Sequence, residues 1–491
     1  MGLTIKILQV LNIFLYGIII GMPNSRNRVR VAGAIAGIAV FFIFRALNIS
    51  GMGSEAQGLL ALLMAAVVFW LTTPIPMYLT GLLISVIPWA LGLVPFGIAF
   101  SGFSGNTFWF LFAALGIAGC INESGVARRI ALWLMSRAEP TFARLMVIIV
   151  ITMFLLGYIL PLGVARVALM LAILTPLISL FGVPFRSNIG KAITIAVAMF
   201  GMAGSWQILT GGAPGLVLWG SLTELGYEVS WFQWAAIMIV PTLLVLSIMY
   251  LTITRLYKPE VKIAPGGREK IRREMASLGP MTALEKRALA ILGLIIVIWL
   301  TEPLHHIKTD VVGIAGVFIF VLPVVGTISF DTFIKKLIPW SLLIFVGAVI
   351  SLAAMAASTG MDTYINQNVV APVYSMASNS FLFVISTWIL NTITGAMMLF
   401  VPSIPLFAAP VTEAAISAGV NPVVGALIYL SCFPQMLFYC AIPFFPIAMN
   451  YGTIEAKDWI KNGFVFFLAW PLAHIICIFT WYPLLELMGI I

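Results

Sequence analysis

The sequence predicts an all-α polytopic membrane protein. Three observations carry the prediction: composition, the placement of charges, and an internal duplication. Of 491 residues, 62% are hydrophobic and only 9% charged, with a mean hydropathy of +1.11. A soluble domain of this size carries roughly a quarter charged residues. The net charge of +9 does not indicate a nucleic-acid partner, because membrane proteins gather Lys and Arg in cytoplasmic loops. The expected surroundings are a lipid bilayer.

At about 20 apolar residues per crossing, spans are expected near 31–48, 55–73, 77–95, 107–126, 190–220, 231–252, 283–301, 309–326, 338–357, 421–450 and 463–489. That makes about 11 transmembrane helices. Before them, LQVLNIFLYGIII (8–20) is apolar and precedes the basic SRNRVR (25–30). No small-residue cleavage pattern follows, so 1–21 reads as an interfacial helix or an extra short span. Two further apolar stretches, 142–182 and 375–415, each have two short limbs around a Gly/Pro or polar tip. They read as re-entrant hairpins, with two extra full spans as the alternative, since irregular backbone at membrane depth must face protein or water.

The loops test this order. With 25–30 in the cytoplasm, the segments 127–144 and 253–287 and the pairs Lys335/Lys336 and Lys457/Lys461 fall on the same side. The loops left outside (49–54, 96–106, 221–230, 302–308, 358–374) carry only Lys308. This bias holds if each hairpin returns to the side it entered from.

The duplication lies in three landmarks. WLTTP at 70 recurs as WLTEP at 299, an offset of 229; LGVAR at 162 matches LNTIT at 390, an offset of 228; GAPG at 212 matches IPFF at 442, an offset of 230. Each unit holds five spans and a hairpin, so the second copy starts from the opposite side. Inverted repeats of this kind mark secondary transporters. The expected division is an N-terminal segment with the first helix (1–54), a first repeat (55–256), a cytoplasmic linker (257–282) and a second repeat (283–491).

Helices interrupted at SWQILTGGAPG (205–215) and CAIPFFP (440–446) would free amides for an anion and carbonyls for a cation near the bilayer midplane. Arg166 stands just past the first tip, between apolar limbs. A charge at that depth costs about 2.5–3.5 kcal/mol on insertion scales, so it should meet a polar cavity or partners. Two functional readings are binding an anion bidentately and replacing a monovalent coupling cation. Three bland readings are an acidic partner, carbonyls of its own hairpin, or snorkelling to the surface.

In span order, in WLTTPIP (70–76) and INESGVARRIAL (121–132), and in both hairpins and both broken helices, the sequence resembles the divalent anion/sodium symporters, relatives of the sodium-coupled di- and tricarboxylate transporters. The resemblance covers roughly 30–490. It implies an elevator-type homodimer with substrate at the two tips and Na+ as a possible coupling ion, without other cofactors. Carried onto this sequence, substrate contacts fall on Gly163, Val164, Arg166, Thr210, Pro214, Gly215, Asn391, Thr392, Thr394 and Pro443, and sodium ligands on Ser386 and Asn391. The family's Ser-Asn-Thr tip is Leu390-Asn391-Thr392 in the second copy and Leu162-Gly163-Val164 in the first. Tyr158 stands where the second copy has Ser386. The breaks end in Gly215 and Phe445 instead of Asn.

The expected function is secondary transport of small multiply charged anions, di- or tricarboxylates first, by sodium coupling, proton coupling or exchange. Phe444 and Phe445 admit a substrate with an apolar part. Alternatives are a sulfonate, phosphonate or inorganic anion as cargo, or an anion channel on the same scaffold. The expected location is a bacterial inner membrane, with the basic N-terminal segment cytoplasmic. GxxxxGK[ST], HExxH and GxSxG are absent, and no enzymatic activity is expected. Cys120, Cys432, Cys440 and Cys477 read as small core residues, and His305, His306 and His474 as forming no site. Glu123, Arg128 and Arg129 read as interfacial pairing, Glu413 as solvent-exposed, and 275–288 as a polar linker.

Overall fold

The computed structural model describes residues 26–47, 49–137, 141–160, 163–262, 267–397, 400–434 and 444–491. Apolar runs of spanning length become helices because a helix satisfies its own backbone away from water. Nine helices among the described residues are long and apolar enough to cross a membrane. The all-α polytopic architecture is therefore borne out.

In chain order the helices are α1 (Arg26–Ala46), α2 (Ser54–Thr72), α3 (Met77–Ala90), α4 (Asn106–Ser124), α5 (Val126–Met135), α6 (Phe142–Ile159), α7 (Gly163–Ile178), α8 (Asn188–Ala203), α9 (Ala213–Glu224) and α10 (Trp231–Leu256). The linker forms α11 (Gly267–Ser277). Then follow α12 (Ala283–Leu300), α13 (Thr309–Val321), α14 (Trp340–Thr359), α15 (Ser380–Met397), α16 (Phe400–Ser417), α17 (Pro422–Ser431), α18 (Phe444–Asn450), α19 (Ala456–Phe479) and α20 (Trp481–Leu487). From α2 the chain runs through α3, α4 and α5 to the pair α6 and α7, then α8, α9 and the long α10; from α12 it runs through α13 and α14 to the pair α15 and α16, then α17, α18 and the long α19.

Several ends follow from local chemistry. Ser230 and Gln233 make a capping box at α10, and Thr282 and Glu285 make one at α12, each satisfying orphan amides. Gly125, at φ 82°, lets α4 turn into α5, a conformation glycine takes at little cost. The single span expected over 463–489 is two helices. α19 starts earlier, at Ala456, and the chain breaks at Thr480 (φ −130°, ψ −66°) before α20. The apolar run passes through this break unchanged, so hydropathy did not mark it.

Burial places the broken helices at the centre. In α8 every residue from Ala192 to Ala203 is buried, as is every residue of α17 from Val424 to Ser431. By contrast α1 touches the rest through Val40 and Phe44 against Ala61 and Val68. Its Val31, Ile35, Ile38 and Phe42 point outward, as a lipid-facing helix requires.

One ion pair departs from the sequence reading. Glu123 and Arg128 are exposed, but Arg129 is buried and pairs with Glu285 at 2.7 Å. Its other donors reach the carbonyls of Leu278, Gly279 and Pro280. The linker is therefore fastened to α5 by a partner 156 residues away, and Arg129 does not serve as a surface charge. Glu413 is exposed, as expected. Cys120, Cys432 and Cys477 are buried and free; Cys440 lies outside the described residues.

Candidate functional site

The first hairpin ends where Leu160 turns extended (φ −121°, ψ 92°), closing α6, and α7 begins at Gly163. The first broken helix stops at Ala203 and resumes at Ala213, with Gly212 extended (φ −172°) and Pro214 in the first turn of α9. Helix C-termini carry carbonyls without intrahelical partners, and there a positive charge is favoured.

Arg166, in the first turn of α7, supplies that charge. It is fully buried. Nη1 donates to the carbonyls of Leu160 at 2.5 Å and Gly211 at 3.5 Å. Nη2 donates to the Gly201 carbonyl at 3.1 Å and Ser205 Oγ at 3.0 Å. Ser205 in turn donates to Gly201, and Nε has no partner among the described residues. No carboxylate among the described residues forms an ion pair with Arg166. Of the three bland readings, snorkelling and acid pairing fall away. The carbonyl reading holds in a wider form, because three of the four acceptors belong to the broken helix. The guanidinium sits in a cage of neutral oxygens, the surroundings a small bare cation would need.

Gly163 is required by close approach: a Cβ there would collide with Ser205 Oγ and lie 2.9 Å from Cζ of Phe444. Val164 is half-buried. Thr210 is buried and accepts from the Trp231 indole at 3.2 Å, and Trp231 stacks on Trp299 at 5.6 Å. Gly215 is buried against the Leu209 carbonyl and Trp234, with Pro214 at its edge.

The second hairpin differs. Asn391 on α15 is fully buried; its Nδ2 donates to the Tyr429 carbonyl at 2.9 Å, while Oδ1 has no partner among the described residues. Ser386 Oγ is likewise buried and unpartnered. Thr394 Oγ1 donates to the Asn391 carbonyl at 3.4 Å. Thr392 is exposed and bonded to Trp388 of its own helix, so the structure does not bring it to the others. Asn391 offers the hard, neutral oxygen a sodium ion takes. Ser386, five positions back, stands about 140° away round a helix of 3.6 residues per turn, so the two do not converge by themselves. Pro443 lies outside the described residues. No group of three or more His, Cys, Asp or Glu among the described residues could hold a metal.

Aromatic rings that the sequence reading did not join bridge the two tips. Trp206, in the first break, meets Phe400 of α16 edge-on at 5.6 Å. Phe400 lies 4.2 Å from Phe433, in the second break, and Phe433 and Pro434 crowd Gly395. Phe444 presses on Gly163, while its neighbour Phe445 turns away to Trp459 at 5.2 Å. His474 is also not isolated: its ring nitrogens lie 2.6 Å from Ser431 Oγ and 2.6 Å from Tyr482 OH, which holds the end of α17. Cavities of about 530 and 390 Å³ lie elsewhere, one around Trp219, Glu302 and Lys308, the other between α14 and α16. Neither is lined by Arg166 or Asn391.

Residues 28–488 match the family described as the sodium:sulfate symporter transmembrane region. A "Membrane protein" of Cupriavidus necator is 31% identical over 358 residues, 69% of each chain. "Dicarboxylate transporter 1, chloroplastic" of Spinacia oleracea is 25% identical over 358 residues, 69% of this chain and 60% of that one. "Inner membrane protein YbhI" of Escherichia coli is 21% identical over 403 residues, 78% of this chain and 82% of that one.

Proposed function

We propose that this chain, which belongs to the sodium:sulfate symporter transmembrane-region family, is a secondary carrier of small organic anions, dicarboxylates first, in which Arg166 replaces a coupling cation at the first hairpin. One observation carries the reading: a permanently charged group bonded only to neutral oxygens of the first hairpin and the first broken helix. Its four Nη hydrogen bonds all go to the protein. Its role is thus the field it exerts, not a bidentate grip on the anion. A buried positive charge without a counter-ion favours an anion beside it, strongly so where the effective dielectric is low.

The same charge bears on coupling. A mobile cation leaves with its substrate and the emptied site is neutral, whereas a covalent cation stays. Returning empty would then move an unneutralised charge through the membrane, against desolvation and coupled to the membrane potential at about 2.3 kcal/mol per 100 mV. Exchange of one anion for another avoids that state, so exchange is the favoured mode. The unpartnered Asn391 Oδ1 leaves room for one sodium ion at the second hairpin.

Around this site we read 55–256 and 283–491 as inverted repeats joined by the linker 257–282, after an N-terminal segment 1–54. The chain is an integral membrane protein; we place it in a bacterial inner membrane, as a homodimer moving by an elevator mechanism, with its basic N-terminal segment cytoplasmic. A sulfonate, phosphonate or inorganic anion is the second reading of the cargo, supported by the absence of side-chain oxygens at Gly163 and Val164. The test is uptake of labelled succinate or malate into proteoliposomes, with sodium or choline outside and with or without unlabelled anion inside. Exchange predicts strong trans-stimulation that persists in choline. Uptake that needs sodium and ignores the internal anion would overturn the role given to Arg166. Currents far above carrier turnover would point to a channel.

A further inference from the structure

Donors for an anion are scarce beside Arg166. Its Nη groups are spent on Leu160, Gly201, Gly211 and Ser205. Ser205 Oγ already accepts one bond and donates another, and Asn391 Nδ2 is committed to Tyr429. Gly163 and Val164 bring no side-chain donor, only the opening amides of α7. What remains at this junction is the Arg166 Nε–H, without a partner among the described residues, and the opening amides of α7 and α9, where Gly212 packs against Ser205. A helix of this length favours one anionic group at its N-terminus.

Adjoining that end are four rings from separate segments. Trp206, Phe400, Phe433 and Phe444 are 3%, 4%, 6% and 7% exposed; the first three are joined by the contacts at 5.6 and 4.2 Å described above, and Phe444 is seated on Gly163, beside Ser205. Trp206 immediately follows Ser205, so the fixed charge, the amide end and the rings meet at one place. Gly163, which opens α7, faces Phe444, and Gly395, within α15, faces Phe433. A substrate reaching between the tips must displace or stack on these rings.

From this juxtaposition we propose that the carrier selects carboxylates with an apolar, preferably aromatic, body beside the charged end, over bare short-chain dicarboxylates. This rests on the anion-carrier reading above and names the substrate class within it. The charge is met by Arg166's field and Nε–H, by the opening amides of α7 and by the Ala213 amide of α9, since Pro214 has no N–H and the Gly215 and Leu216 amides donate to Gly212. Affinity beyond that comes from burying a flat apolar group against rings that accept stacking and edge-on contact.

The experiment compares matched pairs on the purified full-length protein: succinate with phenylsuccinate, and acetate with phenylacetate. Each pair is measured by thermal shift and by competition against anion exchange in proteoliposomes. The aryl member should bind at least about tenfold more tightly, as expected for burial of a phenyl ring. In Phe444→Ala the gap should shrink, and Phe400→Ala gives the same reading should the first variant fold poorly. Equal affinities, or a preference for succinate over phenylsuccinate, would overturn the inference and leave the carrier reading intact. If no carboxylate of either series binds or exchanges while the protein remains folded, the carrier reading fails and this one with it.

Discussion

The two hairpins, counterparts by the 228-residue offset read in the sequence, treat their buried polar atoms in opposite ways. Position 166 corresponds to 394 by the 228-residue offset that relates LGVAR to LNTIT. At 166 stands a guanidinium that saturates the oxygens around it; at 394 stands a hydroxyl, with the neighbouring Asn391 Oδ1 and Ser386 Oγ buried and unpartnered. Buried polar atoms without partners are rare and ask for an explanation. The first hairpin carries a positive charge of its own as the protein folds, whereas the second has acceptor capacity to spare among the described residues. On the proposed reading of two repeats, the units need not keep the same ion chemistry: one would carry its cation in the chain, and the other would take one from solution.

The sharpest way to break this contrast is to make the first hairpin resemble the second. Arg166→Thr removes the charge and leaves the carbonyls of Leu160 and Gly211 without this donor, while Gly201 keeps Ser205. Each unsatisfied buried group costs about 1–3 kcal/mol, so exchange in sodium-free buffer should fall by more than about 100-fold. Added sodium should restore part of the loss, because the freed carbonyls are cation ligands. Uptake kinetics are the measurement; unchanged sodium-free exchange would end the surrogate role. Arg166→Lys keeps the charge but not the four-bond geometry and should fall between.

The second hairpin is tested at Asn391. Asn391→Ala deletes the bond to the Tyr429 carbonyl and removes the spare oxygen. Losing a hydrogen bond of about 1 kcal/mol and leaving a buried acceptor should lower exchange about tenfold. Any stimulation of the parent protein by sodium should disappear. Sodium stimulation that survives in Asn391→Ala would move the ion to another place.

A smaller effect is expected on stability at Gly163. In Gly163→Ala the new methyl meets Ser205 and the Phe444 ring, and overpacking of this kind costs about 1–3 kcal/mol. The melting temperature should drop by several degrees, with the cage round Arg166 disturbed. An unchanged melting temperature would mean that Phe444 yields freely and the tips are not closed on each other.

How much of this was legible in the sequence follows from the nature of each signal. Span order came through because hydropathy and Lys/Arg bias are written residue by residue, and α8 with α9 came through because SWQILTGGAPG cannot continue a helix. The partners of Arg166 did not, since backbone carbonyls have no sequence signature; an arginine between apolar limbs shows that partners must exist, not where. Arg129 was assigned to nearby Glu123 because proximity in sequence was the only guide, whereas its partner Glu285 is reached through tertiary packing. The ring bridge was half visible: Phe444 was noticed, but Trp206, Phe400 and Phe433 meet only when both halves are folded. The resembled family's Ser-Asn-Thr tip puts Thr392 at the site, yet one step along a helix from Asn391 turns a side chain by about 100°.

That last difference gives the smallest effect and a close test of the comparison. Thr392 is exposed and its hydroxyl is spent on Trp388, while its counterpart in the first hairpin, Val164, has no hydroxyl. Thr392→Val therefore makes the two tips alike at a position the structure turns away from the buried oxygens. Surface changes of this kind shift stability by about 0.5 kcal/mol or less, so exchange rate, sodium response and melting temperature should stay within about twofold or a degree of the parent. Should exchange collapse instead, Thr392 must turn inward during the cycle, and the second hairpin would have to be described by a state in which α15 rotates at its tip. Normal exchange would confine the second hairpin's ion chemistry to the buried face that carries Asn391 and Thr394.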